Sequence, residues 1–296
     1  MTVTRCTVRV PASTANLGPG FDALGLALAL YDEVEVALAP SGLQIEVHGE
    51  GAGEVPTDER HLVVRALRAA CTRLACRPPG LVLRCRNAIP HARGLGSSAA
   101  AAVAGVLAGY ALAGTEPDAA ALQLAAGFDG HADNVGASLL GGLVIAWREA
   151  EAYRVVRLEP HPDLVPLLLV PRACSSTDAT RGLLPADVPH ADAAFTAGRA
   201  ALAVHAVTAE PQLLLAATED RLHQPYRRSA YPPTARLVDA LRAAGVPAAV
   251  SGAGPAVLAF PLGGTSVSEL IARIDTTGFT PRRLDVARVG ATVQFA

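Results

Sequence analysis

A glycine–serine loop that runs into a long helix of small residues constrains the fold of this 296-residue chain more than any other feature. Residues 90–100 read PHARGLGSSAA, and alanine and glycine dominate the helix predicted over 99–113. Gly94 and Gly96 allow positive φ angles and a close approach of the backbone to a ligand. The two serines open the helix, and its first amides, which have no partner within it, form a site for a polyphosphate together with the helix dipole. Taken alone, such a segment is usually an ordinary serine-capped helix after a turn.

Lysine is absent from the sequence, and all 25 basic residues are arginines. A P-loop lysine, a protein-kinase lysine and a Schiff-base lysine are therefore excluded. Phosphate and carboxylate groups must be bound by arginine, by backbone amides or by a metal ion.

The composition indicates a globular protein of the cytoplasm. Hydrophobic residues make up 51% of the chain, and the formal net charge of −2 argues against nucleic acid or an anionic membrane as the main partner. The N-terminal residues read as a strand rather than a signal peptide, and the longest apolar run, 99–114, is too short to span a bilayer. The five cysteines include no CxxC pair, so we expect buried, reduced thiols.

Strand and helix patterns alternate too irregularly for one parallel sheet, which predicts an α+β fold. A proline-rich stretch over 159–166 divides the chain into two predicted domains, 1–160 and 161–296. In the second domain the patterns include a helix over 211–220 and a final strand over 284–289.

Three motifs together resemble those of the GHMP kinases, a family that includes galactokinase and the homoserine, mevalonate and phosphomevalonate kinases. Residues 11–25, PASTANLGPGFDALG, are similar to the first motif in its homoserine kinase form, and 90–100 are similar to the nucleotide loop. Residues 251–255, SGAGP, resemble the third motif, a glycine-rich turn beside the phosphates. The resemblance implies an ATP-binding N-terminal domain like the second domain of ribosomal protein S5, and a ferredoxin-like C-terminal domain. The active site is expected in the cleft between them.

The resemblance also implies L-homoserine as the substrate, and homoserine presents a carboxylate, an ammonium and a hydroxyl group. A site for it needs a guanidinium, an acid and amide-type hydrogen-bonding groups. The positions that match the family's substrate-binding residues are Asn16, Asp22, Asn134, Thr177, Arg181 and Arg227. Asp22 is the expected partner of the ammonium group, and the catalytic set implied is Asn134, Arg181 and His131. Four of these residues have an alternative interpretation: Asp22 as a turn cap, His131 as a core histidine, and Arg181 and Arg227 as surface arginines.

The nucleotide and magnesium sites follow from the same resemblance. The expected ATP-binding residues are Pro90, His91, Ala92, Arg93, Gly94, Leu95, Gly96, Ser97, Ser98, Ala99, Ala100, His61, Gly252 and Gly254. Magnesium would be held by Ser98 and by Asp129, where most relatives carry Glu, while His61 stands where the family has an adenine-reading Asn. Without lysine, the Asp–Lys pair of other GHMP kinases cannot form. Asp133 and His131 remain candidates for a general base.

The expected activity is thus ATP-dependent phosphorylation of L-homoserine, a step toward threonine. Two alternatives stay open: a GHMP kinase for another amino alcohol such as threonine, and a non-catalytic GHMP protein that binds ligand and regulates. The sequence does not set the oligomeric state and allows a homodimer.

Overall fold

The computed structural model describes residues 3–174, 180–262 and 266–295, which form two sheets with packed helices. The larger sheet is built from β1 (Arg5–Asn16), β2 (Gly20–Ala39), β3 (Gly42–Gly49), β4 (Gly80–Asn87), β5 (Leu143–Glu149), β6 (Ala152–Leu158) and β11 (Thr292–Phe295). Its order is β11–β1–β2–β4–β3, and β5 pairs with both β2 and β6. Only the β3–β4 pair of these strands is parallel, and a helix connects the two.

Four helices belong to the first half: α1 (Leu62–Arg73), α2 (Ser97–Ala113), α3 (Ala119–Asp129) and α4 (Asp133–Leu140). α2 lies in the middle of the core and packs on α1, α3 and β1. The small residues predicted for α2 make this possible. A Cβ atom on Gly105 would lie 2.3 Å from the carbonyl oxygen of Val63, and one on Gly109 would lie 2.6 Å from the Cβ of Ala70. The backbone that carries the glycine–serine loop is therefore held tightly against α1.

The smaller sheet contains β7 (Leu167–Pro171), β8 (Ala248–Val250), β9 (Val257–Ala259) and β10 (Phe279–Arg283). The described helices around it are α5 (His190–Thr208), a 3-10 turn (Pro211–Leu213), α6 (Leu214–Ala217), α7 (Gln224–Arg227), α8 (Pro232–Ala243) and α9 (Val267–Arg273). The strand order β10–β7–β9–β8 is antiparallel throughout. Helices follow β7 and β9, which gives the β-α-β-β-α-β sequence of a ferredoxin-like unit. The α+β architecture expected from the sequence is confirmed.

Two predicted elements of the second half are wrong in extent. The helix expected over 211–220 is a 3-10 turn followed by the single turn of α6. The final strand expected over 284–289 is an isolated bridge between Leu28 and Val286. On the edge of β2 that the segment meets, residues 24–26 already pair with β5 and residues 33–39 with β4, so little of the edge is left for a ladder. Val286 and Ala287 are buried, but Val289 is 68% exposed. The last strand is β11, which pairs with β1.

The predicted boundary at 160/161 falls between β6 and β7, although β11 returns from the second half to the larger sheet. All five cysteines are free thiols, with Cys174 exposed, Cys76 half-buried and the other three buried. Among the helices of the described ranges, none combines the length and apolarity needed to cross a bilayer.

Candidate active site

A cavity of about 340 Å³ opens between the start of α2, the turn that joins β1 to β2, the start of α4 and three segments of the second half. It collects side chains that are far apart in the sequence. Lining it are the predicted substrate-site residues Asn16, Asp22, His131, Asn134, Arg181 and Arg227. Thr177, predicted with them, lies outside the described residues. The cavity also receives most of the glycine–serine loop, so the two predicted ligand sites share one space.

The loop has the backbone geometry that its glycines predict. The φ angles of Gly94 and Gly96 are 75° and 69°. A Cβ on Gly94 would lie 2.1 Å from the carbonyl oxygen of Ser251, and one on Gly96 would lie 2.0 Å from the Oγ of Ser13. Gly96 precedes α2, and no side chain of the described ranges caps this helix. The first amides of α2 are therefore suited to binding an anion.

The three sequence motifs meet at this loop. Asn16 donates from Nδ2 to the carbonyl oxygen of Gly252 (2.9 Å) and accepts the backbone N–H of Asp22 (3.0 Å). Ser251 donates through Oγ to the carbonyl oxygen of Gly94 (2.6 Å). Gly252 borders the cavity, whereas Gly254 lies behind it, against the ring of Tyr231. Asn16 therefore joins the first motif to the third, in addition to any contact with a ligand.

Two predicted substrate residues bind each other. Arg181 donates from Nη1 and Nη2 to the two carboxylate oxygens of Asp22, at 3.0 and 2.8 Å. Asp22 has a φ angle of 56°, which turns its side chain toward the second half of the chain. His131 is close by, with Nε2 4.0 Å from Asp22 Oδ2. The cavity thus contains a preformed pair of opposite charges.

Arg227 is a buried arginine, with only 1% of its surface exposed. It donates from Nε to the carbonyl oxygen of Thr180 (3.3 Å) and lies 3.2 Å from His223 Nδ1 through Nη1. The guanidinium carbons of Arg227 and Arg181 lie 5.3 and 5.2 Å from the centre of the Phe21 ring. Burial lowers the pKa of Arg227. Both guanidinium groups thus approach the Phe21 ring, and the charge of Arg181 lowers the pKa of Arg227 further.

The start of α4 supplies an amide and a buried acid. Asn134 accepts through Oδ1 from Ser13 Oγ (2.9 Å), which leaves Nδ2 as the group that can donate to a ligand. Asp133 is 2% exposed and accepts the backbone N–H of Asn134 (2.7 Å). Burial raises the pKa of Asp133 to about 7, and the nearby carboxylates of Asp22 and Asp129 act in the same direction. Asp133 therefore titrates near neutral pH.

The residues expected to bind magnesium lie together. Asp129 ends α3 and lines the cavity together with Ser98, which lies in the first turn of α2. Burial raises the pKa of Asp129, while His131 and Ser98 act in the opposite direction. A phosphate-bound magnesium ion requires one or two protein oxygens besides water. This donor set fits such an ion, and the described residues contain no group of three or more metal-ligating side chains.

His61 lies in a second cavity of about 310 Å³, which shares Ala92, Ser97 and Ser98 with the first. His61 is 6% exposed, and its Nδ1 has no hydrogen-bond partner among the described residues. Burial lowers the pKa of His61, and so does the neighbouring His91. The neutral imidazole can hydrogen-bond with a flat polar ring placed in this cavity.

Comparison with known proteins decides the family. The family model described as GHMP kinases N terminal domain matches residues 61–142, and the one described as GHMP kinases C terminal matches 203–278. The chain belongs to the GHMP kinase family. A homoserine kinase from Streptomyces avermitilis is 52% identical over 97% of this chain and 94% of the relative. One from Rhodococcus erythropolis is 54% identical over 86% of this chain and 85% of the relative.

A solved structure extends the likeness to the whole fold. The crystal structure of homoserine kinase from Cytophaga hutchinsonii superposes with a TM-score of 0.87 at 26% identity, covering 99% of this chain and 98% of that one. The two-domain GHMP kinase fold expected from the three motifs is therefore confirmed.

Sequence reasoning missed the contacts by which several residues hold this GHMP kinase site together. Arg93, expected to bind nucleotide, uses its guanidinium to donate to the carbonyl oxygens of Pro171, His91 and Arg172 (2.7–3.0 Å) and so ties the loop to the end of β7. Phe21, Ser13 and His223 also contact and position groups of the site, and no sequence spacing identifies them. Their only signal was their place inside or beside a motif.

Proposed function

We propose that this GHMP kinase transfers the γ-phosphoryl group of ATP to the side-chain hydroxyl of L-homoserine, giving O-phospho-L-homoserine, a step toward threonine. The observation that carries the proposal is the Asp22–Arg181 pair, with Arg227 beside it, in the same cavity as the phosphate loop. The proposal includes the division at 160/161, with ATP bound mainly by residues 1–160.

The acid–arginine pair favours a zwitterionic acceptor. At the acceptor end of the cavity, formed by Asp22, Arg181 and Arg227, Asp22 and Arg181 neutralise each other. An amino acid offers Asp22 an ammonium and offers Arg181 and Arg227 a carboxylate, so both original charges keep a partner when the pair opens. An acceptor with only one of these charges leaves an unpaired charge in a half-buried site, which is costly. Mevalonate and sugars lack the ammonium group.

The nucleotide occupies the loop and the neighbouring cavity in this proposal. Backbone amides of 94–98 bind the phosphates, and His61 hydrogen-bonds with the adenine ring. Ala99 and Ala100 are fully buried, so they act through the backbone and through packing. Arg93 holds the loop in place rather than binding phosphate with its side chain.

Magnesium would be held by Ser98 and Asp129, where it would neutralise charge on the phosphates of bound ATP. The protein's own residues align the acceptor. Asn134 orients the hydroxyl, while His131 and Arg181 lie near it. In this proposal no residue is a dedicated base, and the hydroxyl loses its proton late in the transfer. Asp133 and His131 are the groups to test if a base exists.

Three further parts of the proposal concern partners and location. Thr177 joins the substrate-binding set on the strength of the motif match alone. Free thiols at all five cysteines support a reducing compartment, the cytoplasm. A homodimer is included as a hypothesis, and light scattering after size-exclusion chromatography measures it directly.

A coupled ADP-release assay over hydroxy amino acids, mevalonate and galactose, with magnesium and ATP, tests the function. L-Homoserine should be phosphorylated far better than L-threonine, L-serine or mevalonate. Preference for threonine would indicate a kinase for another amino alcohol. Ligand binding without ADP release from any acceptor would indicate a non-catalytic regulator.

A further inference from the structure

His223 is fully buried and uses both ring nitrogens within the protein. It directly precedes α7, whose last residue is Arg227. Its Nε2 lies 2.7 Å from the carbonyl oxygen of Gly18, and its Nδ1 lies 3.2 Å from Nη1 of Arg227. The ring stacks on Phe21 with the centroids 5.0 Å apart. One side chain thus contacts the turn between β1 and β2, the guanidinium of Arg227 and the Phe21 ring that both arginines approach.

The partners of His223 fix its protonation state. A guanidinium has only donors, so Nδ1 must accept from Arg227. A carbonyl oxygen only accepts, so Nε2 carries the proton and donates to Gly18. Asp220 lies nearby, with Oδ2 3.5 Å from Nε2, and is itself bound by the backbone N–H groups of His223 and Gln224. A neutral imidazole with its proton on Nε2 satisfies all of these contacts.

The Gly18 contact matters because Gly18 lies between Asn16 and Asp22. There is little room for this turn to move toward the second half, since a Cβ on Gly18 would lie 2.5 Å from the carbonyl oxygen of Thr218. The hydrogen bond from His223 therefore sets the position of the turn that carries Asp22. The same ring sets the position of Arg227.

We propose that His223 is a positioning residue for acceptor recognition, coupling the Asp22 turn to the Arg227 guanidinium so that the groups for an ammonium and a carboxylate stay at a fixed separation. This inference rests on the proposed function, because the acceptor is taken to be an amino acid. His223 touches neither the phosphate loop nor the second cavity. Its effect should therefore appear in the homoserine KM and not in the ATP KM.

Two substitutions separate the two ring contacts. His223→Asn places an acceptor near the Nδ1 position facing Arg227 and removes the donor to Gly18. His223→Gln places a donor near the Nε2 position facing Gly18 and removes the acceptor for Arg227. His205→Asn is the matched control, because His205 is half-exposed on α5 and pairs only with Glu210 in the described contacts.

The Gln variant should raise the homoserine KM by about 10-fold or more, since a hydrogen bond to a charged group is lost. The Asn variant should raise it less, and the ATP KM should stay unchanged in both. A purely packing role predicts the reverse ranking, because Asn is the smaller side chain and leaves the larger void. The control should match the parent enzyme.

A double-mutant cycle with Arg227→Ala gives the decisive comparison. If His223 acts through Arg227, the effect of His223→Gln on the homoserine KM largely disappears in the Arg227→Ala background. Full additivity, or an unchanged homoserine KM in any folded His223 variant, would overturn the proposal. If the parent enzyme does not phosphorylate homoserine, the proposed function fails instead, and the two failures are distinguishable.

Discussion

The two ends of the active-site cavity are built in different ways. The phosphate end is made by one continuous segment, residues 94–98, and its chemistry lies in backbone amides and in two positive φ angles. The acceptor end is made by side chains from separate segments, including Asp22, Arg181 and Arg227, and its charges bind one another. Activity should therefore fall when side-chain atoms are added at the phosphate end, and when side-chain atoms are removed at the acceptor end.

The largest effect is expected from truncating the acceptor arginines. Arg227→Ala and Arg181→Ala should each lower kcat/KM for homoserine. The loss should correspond to about 2–4 kcal/mol of transition-state free energy, the range expected for a lost charged hydrogen bond. The ATP KM should change little, because neither side chain reaches the second cavity. Steady-state kinetics with each substrate varied in turn measures both.

Arg228→Ala is the matched control for this pair. Arg228 follows Arg227 directly but lies on the surface, paired with Asp239 at 3.0 Å. Its removal should leave both KM values near those of the parent enzyme. An arginine variant that binds ATP poorly and keeps its homoserine KM would assign that arginine to the phosphate end. The proposed difference between the two ends of the cavity would then be wrong.

The next effect tests the phosphate end by adding one methyl group. In Gly94→Ala the new Cβ would meet the backbone of Ser251, so the loop must shift, and kcat/KM for ATP should fall about 100-fold. Gly114→Ala, at the other end of α2, has a similar positive φ of 65° but open space around the Cβ. It should lose about 1 kcal/mol of stability from backbone strain and keep its activity. Equal activity loss in both variants would show that strain, not the loop position, is responsible.

Asp129 should give a smaller effect that depends on magnesium. Asp129→Asn should lose most activity, about 10- to 100-fold, and recover part of it at high magnesium if metal affinity is what was lost. Asp129→Glu should keep or improve activity, since it keeps the carboxylate on a side chain that is longer by one methylene group. A fully active Asn variant at low magnesium would place the metal elsewhere.

The smallest effect concerns stability and its pH dependence. Burial raises the pKa of Asp133 from 3.8 to about 7, so its contribution to stability is complete below the lower value and is lost as the pH rises through the higher one. Asp133→Asn should thus be more stable than the parent at alkaline pH, by on the order of 1–3 kcal/mol, with a smaller difference at acid pH. Urea titrations across this range measure it. A difference that does not change with pH would mean that Asp133 stays in one protonation state.

The contrast between the two ends also explains what the sequence could reveal. Gly94 and Gly96 were predicted with their positive φ angles because a local motif contains all the information about a local loop. Asp22 and Arg181 were identified as ligands, but their mutual ion pair depends on tertiary structure that spacing does not encode. His223 and Phe21 were not assigned a role, because their function lies in contacts across 200 or so residues of chain. The strand pattern at 284–289 likewise gives only a single bridge, because β4 and β5 already pair with the neighbouring residues on that edge of β2.

The central claim is that the acceptor end exchanges the Asp22–Arg181 pair for a zwitterion, and two analogues of homoserine test it most directly. γ-Hydroxybutyrate lacks the ammonium group and 3-aminopropan-1-ol lacks the carboxylate, while both keep the hydroxyl group and the carbon chain that bears it. Each should show kcat/KM lower than that of L-homoserine by about 100-fold or more, because each leaves one charge of the opened pair without a partner. If either analogue were phosphorylated as efficiently as L-homoserine, the ion pair would have no part in recognition and the account would be contradicted.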